Sequence, residues 1–212
     1  MTENQTTNKS DSIEMKKTKN NTTLWVMIFL FGMPYVAATY FYFNRDNIDL
    51  GLTSNYGTII SPVRSVTDRQ LKKLDETDFK LSSLRGKWII LSIGSSACQQ
   101  DCIDNLYKIR QLRKAVGQEY KRIAKVFFLQ DKNNLQSFTA LLKDYPDMDV
   151  IIPSGSEYER YLSIFSYHGS DIKDGIFIID PLGNYMMMYP KGADPSKIIK
   201  DIERLLKISK IG

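Results

Sequence analysis

The sequence is poor in the residues on which much protein chemistry depends. Its 212 residues include two cysteines and one histidine. Two cysteines exclude a disulfide-dense scaffold. One histidine excludes any centre built from several imidazoles, such as a three-histidine zinc site. Twelve glycines and seven prolines exclude collagen-like and proline-rich low-complexity chains. No repeat with a period of roughly 20–50 residues is visible, which excludes a solenoid. Charge of one sign is also scarce, because 29 basic residues against 24 acidic ones leave a net charge of +5. That balance permits an acidic partner or a membrane surface without requiring either. What remains is ordinary globular usage, 42% hydrophobic and 25% charged, at a length that suits one domain plus an appendage.

The appendage is legible near the N-terminus. Leu24 to Phe43 is a run of twenty residues without a charge, enough at helical rise to cross the hydrocarbon core of a bilayer. Trp25 and the Tyr40–Phe43 aromatic cluster stand at its two ends, where interfacial aromatics belong. Pro34 is tolerable in a lipid-embedded helix. Residues 1–23 are rich in Asn, Thr, Ser and Lys and read as a disordered tail. Lys16, Lys17 and Lys19 precede the run closely and only Arg45 follows it closely. This bias predicts a cytoplasmic N-terminus and places everything from Asn44 onward on the outer side of the membrane. Val36-Ala37-Ala38 offers a signal-peptide cleavage site, but the long polar lead and the continuation through Tyr42 favour an uncleaved anchor. A transit peptide is disfavoured by Glu3, Asp11 and Glu14 in a tail without arginine. The Asn21-Thr22-Thr23 glycosylation pattern is not translocated in this topology.

Residues 44–77 show no sustained periodicity and are expected to form a tether, with a short basic helix near Arg69–Leu74. The folded unit is expected over 78–212. Trp88–Ile93 and Val126–Leu129 are short apolar runs of strand type, and Val150–Ile152 is another. Helices are expected over Cys98–Val116 with Gly117 as its stop, over Leu135–Asp144 and over Glu157–Phe165. Gly175–Asp180 and Tyr185–Tyr189 flank Pro181-Leu182-Gly183-Asn184, turn chemistry that predicts a hairpin. Asp194 then caps a last helix that begins with Pro195 and carries Ile198, Ile199, Ile202, Leu205 and Leu206 as its apolar stripe. The order of these elements is that of the thioredoxin fold, an α/β architecture with a central mixed sheet and helices on both faces.

Both cysteines fall at one place, in Ser95-Ser96-Ala97-Cys98-Gln99-Gln100-Asp101-Cys102. There a strand ends and a helix begins, and a helix N-terminus favours a thiolate. If the helix starts at Cys98, the i, i+4 spacing puts Cys102 on the same face one turn on. Such a pair stands near the separation of a disulfide, and equally near that of two thiolates sharing one soft metal ion. Buried cysteine often serves merely as a small hydrophobe. The position of both residues at a βα turn in an oxidising compartment favours paired chemistry instead.

On these residues the chain resembles the Sco family, the thioredoxin-like membrane proteins of cytochrome c oxidase assembly, and more closely the Sco-like proteins found with oxidase genes in proteobacteria. The likeness lies in LRGKWIILSIGSSACQQDC, in YKIRQLRKAVGQE and in the block from IIDPLGNYMMMYPKG to the end of the chain. It implies copper as a possible single bound ion, Cys98 and Cys102 as its thiolate ligands, and a cytochrome c oxidase subunit or another assembly factor as partner. It implies an assembly factor or metallochaperone rather than an enzyme in the strict sense. The family pattern has Pro after the second Cys, where this chain has Ile103, and a His ligand at the position of Ile172. The closer relatives often place that His at the position of Gly175. His168, the sole histidine, is the remaining candidate third ligand, folded back toward the cysteines by the 169–175 loop that follows it. Thioredoxin reductants use Cys-x2-Cys with a Pro before the facing strand, and this chain has Cys-x3-Cys and Asp174-Gly175.

Two further features read as structural. Met186-Met187-Met188 is expected to be core filler, since neighbours in a strand alternate faces. Lys108, Arg110, Arg113, Lys114, Lys121, Arg122 and Lys125 are expected to form a solvated basic face. Three functions follow in order: copper handling for oxidase assembly; thiol–disulfide exchange, with Cys98 attacking and Cys102 resolving; and a membrane-tethered binding module with a structural disulfide.

Overall fold

The computed structural model describes residues 21–44, 55–209 and 211, in two units divided after Ser54. In the first unit the apolar run forms one helix, α1 (Thr22–Phe43), with no buried residue. Its 22 residues rise about 33 Å, enough to span a bilayer core. It is a candidate single-pass anchor by length and composition. The lysines of the tail, Arg45 and the first part of the expected tether lie outside the described residues.

The second unit is one eight-stranded sheet. Its strands are β1 (Thr58–Ser65), β2 (Leu71–Lys73), β3 (Asp78–Phe79), β4 (Trp88–Gly94), β5 (Ile123–Leu129), β6 (Met148–Ile152), β7 (Ile176–Ile179) and β8 (Asn184–Tyr189). They lie in the order β1-β8-β7-β4-β5-β6-β2-β3. β4, β5 and β6 run parallel, and the other pairings are antiparallel, so the sheet is mixed. The helices are α2 (Gln100–Val116), α3 (Leu135–Leu142), α4 (Ser156–Leu162) and α5 (Pro195–Ile208).

Strand alternation decides which helix covers which face. Ile89, Leu91, Ile93, Val126 and Phe128 point to one side, where Tyr158, Tyr161, Leu162 and Phe165 of α4 and the turn after it pack. Ile90, Ile176 and Ile178 point to the other, under Ile109 and Leu112 of α2 and Ile198, Ile202 and Leu206 of α5. Phe127 and Leu129 share that second side with Phe138 of α3 and with both cysteines. Helices thus cover both faces, the thioredoxin-like arrangement.

The expected tether is corrected. The folded unit begins by Asn55 rather than at Asp78, and Arg69–Leu74 contains strand β2 instead of a basic helix. The physical reason is placement at the margins of the sheet, β1 at one edge and β2 next to the short edge strand β3 at the other. Of the eight residues of β1 only Ile60 is buried, and of β2 only Leu71, so neither shows the alternation by which a half-buried strand is recognised. The basic face is corrected in part. Lys125 is buried and donates to the Pro146 carbonyl at 2.6 Å. The Arg122 guanidinium donates to the carbonyls of Leu206, Ser209 and Ile211 at 2.9, 2.6 and 2.9 Å, holding the C-terminal segment. The methionines are core filler as expected, but the alternation breaks at a register shift against β7: Met186 and Met187 both pack on one core and Met188 on the other.

The turn after β7 forms through Asp180, whose carboxylate accepts from the N–H groups of Leu182 and Asn184, while Gly183 takes φ +91°. Asp194 caps α5 by accepting from the Ser196 N–H at 2.8 Å, with Pro195 in the first turn. Asp194→Ala is expected to destabilise the domain by removing the acceptor of the first-turn N–H, read as a lowered midpoint in denaturant unfolding. An unchanged midpoint would mean the cap contributes nothing.

Candidate functional site

β4 delivers the chain to Gly94 at the centre of the sheet, and the next residues turn over its end before α2 starts. Hydrogen bonds fix that turn from below. Ser96 Oγ donates to the Asp131 carboxylate and accepts from the Asn134 N–H, and the Gln130 N–H donates to the Gly94 carbonyl at 2.8 Å. Burial pushes the Asp131 carboxyl up, but hydrogen bonds from Ser95, Ser96 and the Asn133 N–H outweigh it and hold it below the usual range. The stretch between strand and helix is therefore a pinned loop.

α2 begins at Gln100, two residues later than the spacing of the sequence implies, and Cys98 has φ +35°. A residue in the left-handed region cannot serve as the first residue of a right-handed helix. This conformation turns Cys98 back over the first turn of α2. The Cys98–Cys102 disulfide is formed, with the Cα atoms 5.0 Å apart. Cys102 is 2% exposed and packs among Leu106, Phe127 and Phe138, while Cys98 is 6% exposed. A small opening of ≈60 Å³ reaches Cys98; Ser95, Ala97, Gln99, Lys173 and Asp174 complete its lining.

Asp174 is the residue that faces the pair from the loop before β7. It takes φ +55° and is 6% exposed. A Cβ on Gly94 would stand 3.2 Å from Asp174 Oδ1 and 3.7 Å from Cys102 Sγ, so both atoms converge beside that glycine. Burial pushes the Asp174 carboxyl above its ordinary value, against the opposing pull of Lys173 and Lys191. Asn105 of α2 donates to the Asp174 carbonyl at 2.6 Å and so ties the helix carrying Cys102 to this loop. At the rim, Lys191 pairs with Asp101 at 2.7 Å.

The structure brings Cys98 and Cys102 together and leaves His168 elsewhere. His168 is exposed at φ +51° with its ring against Tyr167, 4.2 Å between centroids. Tyr167 donates to the Ser61 carbonyl at 3.1 Å and packs on the core of the opposite sheet face. Among the described residues, no three His, Cys, Asp or Glu side chains cluster closely enough to hold a metal ion. Sequence reasoning missed the part played by Asn105. Its signal was a polar residue three positions after Cys102, on the apolar stripe that continues through Ile109 and Leu112. Asp174 stood out in the sequence only as a departure from proline.

Solved structures share the fold at low identity. Yeast Sco1 with copper bound is 18% identical, with 71% of this chain and 96% of that one covered at a TM-score of 0.59. Arabidopsis thaliana ScoI with copper bound is 19% identical, covering 68% and 98% at 0.57. The thioredoxin domain of a thiol-disulfide oxidoreductase from Bacteroides vulgatus is 12% identical, covering 67% and 95% at 0.53. No curated protein matches the sequence. Residues 88–209, more than half of the chain and including the whole cysteine turn, match the transmembrane-like, thioredoxin-like, C-terminal domain, and the chain belongs to that family.

Proposed function

We propose that the Cys98–Cys102 pair is a working redox couple, and that the chain is a membrane-tethered, Sco-type factor exchanging disulfides with a cysteine-bearing partner in cytochrome c oxidase assembly. The observation that carries this reading is the asymmetric disulfide, with Cys98 at the opening and Cys102 beneath it. In the reduced state Cys98 is the attacking thiolate, favoured by the N-terminus of α2 two residues on. Cys102 then resolves the mixed disulfide from one turn below. The apolar helix α1 and the lysines before it in the sequence support a periplasmic location, where the couple would meet oxidising conditions.

The test is the reduction potential of the full chain in detergent, equilibrated in dithiothreitol redox buffers and read by alkylation and mass spectrometry. A midpoint above about −300 mV is expected, since structural disulfides lie below it. A pair that stays oxidised throughout that range would sink the exchange reading and leave a structural bridge.

A second reading is copper delivery by the reduced pair, favoured by the shared fold with copper-bound Sco proteins. Two soft thiolates suit Cu(I), and the position of His168 makes it a poor third donor here. Titration of the reduced chain against a chromophoric Cu(I) chelator should then show one equivalent, lost in Cys98→Ser and in Cys102→Ser and retained in His168→Ala. Equal binding by the cysteine variants would remove this reading.

A further inference from the structure

The loop that faces the disulfide has spent its main-chain hydrogen bonds inside the domain. The Asp174 N–H donates to the Ile93 carbonyl at 2.8 Å, and the Asp174 carbonyl accepts from Asn105. The Gly175 N–H donates to the Ile172 carbonyl at 3.3 Å, and its carbonyl accepts from Ser92 Oγ at 3.1 Å. A peptide partner cannot dock at 174–175 by adding a strand, because that mode needs free main-chain groups. What Asp174 still offers is its carboxylate, which lines the opening beside Cys98 and has no hydrogen-bond partner among the described residues. At 6% exposure this carboxylate is sparsely hydrated through the opening, and a ligand that supplies a donor there improves on that hydration.

The surrounding charges do not meet this need. Lys173 is exposed, and Lys191 is engaged with Asp101 in a half-exposed pair, so solvent and salt screen both. Asp171 lies on the same loop, accepting from the Lys173 N–H, and adds negative charge.

We propose that Asp174 is a specificity-determining residue that selects a partner thiol carried next to a cationic, hydrogen-bond-donating group, such as a cysteine beside lysine or arginine, over one beside a carboxylate. This rests on the exchange reading above. The partner thiolate attacks Cys98 Sγ, the Cys98–Cys102 bond breaks, and the electron pair leaves on Cys102 Sγ, which takes up a proton. A second partner thiol then displaces Cys98. The partner loses two electrons and gains a disulfide, and the domain is left as the dithiol.

The test uses the oxidised full chain in detergent at pH 8, reduced by three small thiols. These are cationic 2-mercaptoethylamine, neutral 2-mercaptoethanol and anionic 2-mercaptoethanesulfonate. Each rate is corrected for thiolate concentration and divided by the rate of the same protein with the neutral thiol. The native chain should prefer the cationic over the anionic thiol by at least about tenfold, a lower bound since close charges at an effective dielectric near 20 interact more strongly than that ratio requires. Asp174→Asn, whose side chain tolerates a left-handed backbone, should bring that preference near unity, and Lys173→Gln should raise it. Equal preference in the native chain and Asp174→Asn overturns the assignment of Asp174 alone. Failure of the neutral thiol to reduce the native chain, when it reduces the denatured one, overturns the exchange reading beneath it.

Discussion

Cys102→Ser is expected to turn the domain into a trap, while Cys98→Ser abolishes covalent capture. Cys98 lines the opening and Cys102 does not. A thiol or disulfide arriving from solvent therefore meets Cys98 first, and the geometry of exchange needs only that sulfur to be reachable. With Cys98 retained and Cys102 replaced, the reduced protein attacks a partner disulfide and stops at the mixed disulfide, because no resolving thiolate lies beneath. With Cys98 replaced, Cys102 remains at 2% exposure among Leu106, Phe127 and Phe138. Burial in apolar surroundings also disfavours its thiolate. The measurement is the amount of mixed disulfide formed with a small aromatic disulfide, read by intact mass under non-reducing conditions. An excess of at least about tenfold for Cys102→Ser is expected, given how steeply exchange depends on access and thiolate fraction. Equal capture by the two variants, or the reverse order, would contradict the assigned roles. Both variants should fold. The bridge closes a short loop, four residues apart in sequence, and a loop of that size contributes only about 2 kcal/mol in the chain-entropy account.

The sequence carried the fold where apolar residues recur with a period. Trp88–Gly94 and Ile123–Leu129 are central strands buried on both faces, so they appear as unbroken apolar runs. The stripe of α5 and its Asp194 cap are equally plain. The edges were not legible, because the single buried side chains of β1 and β2 give no pattern. At the site, the cysteine pairing was among the readings left open, and the left-handed φ of Cys98 was not foreseeable from residue type. Non-glycine residues adopt that region only when their surroundings impose it. The surroundings here are Ser96 and its partners Asp131 and Asn134, 35 and 38 positions from Ser96 in sequence. The remoteness of His168 has a similar cause. The Tyr167–Ser61 bond and the stacking of Arg64 on the Tyr167 ring hold its neighbour against β1, a strand the sequence did not announce.

A second large effect is expected at Asp201, which makes no hydrogen bond to the cysteine turn. This residue lies on the inner side of α5 and is 2% exposed. Its Oδ2 accepts three hydrogen bonds, from the N–H groups of Tyr56 and Gly57 at 2.7 and 2.9 Å and from the Tyr189 hydroxyl at 2.8 Å. Gly57 is there because nothing larger fits, as a Cβ would lie 2.6 Å from Met187 Cγ and 2.8 Å from Tyr189 Cε1. Burial, with the Asp201 acceptor adding to it, holds the Tyr189 hydroxyl protonated far above the usual range, so it remains a donor at every physiological pH. One carboxyl oxygen thus joins the start of the folded unit, strand β8 and helix α5. Asp201→Ala strands three donors, and the expected loss is about 3–5 kcal/mol, read by denaturant unfolding of the full chain in detergent. Asp201→Asn keeps one acceptor oxygen but places an amide where Oδ1 already lacks a partner among the described residues. Its loss should be smaller, about 1–3 kcal/mol. A drop below about 1 kcal/mol for the alanine variant, the scale of a single ordinary hydrogen bond, would show that water replaces the carboxylate. The start of the unit would then be held by Ile60, the β1–β8 ladder and the contacts of Ser61 and Arg64 with Tyr167.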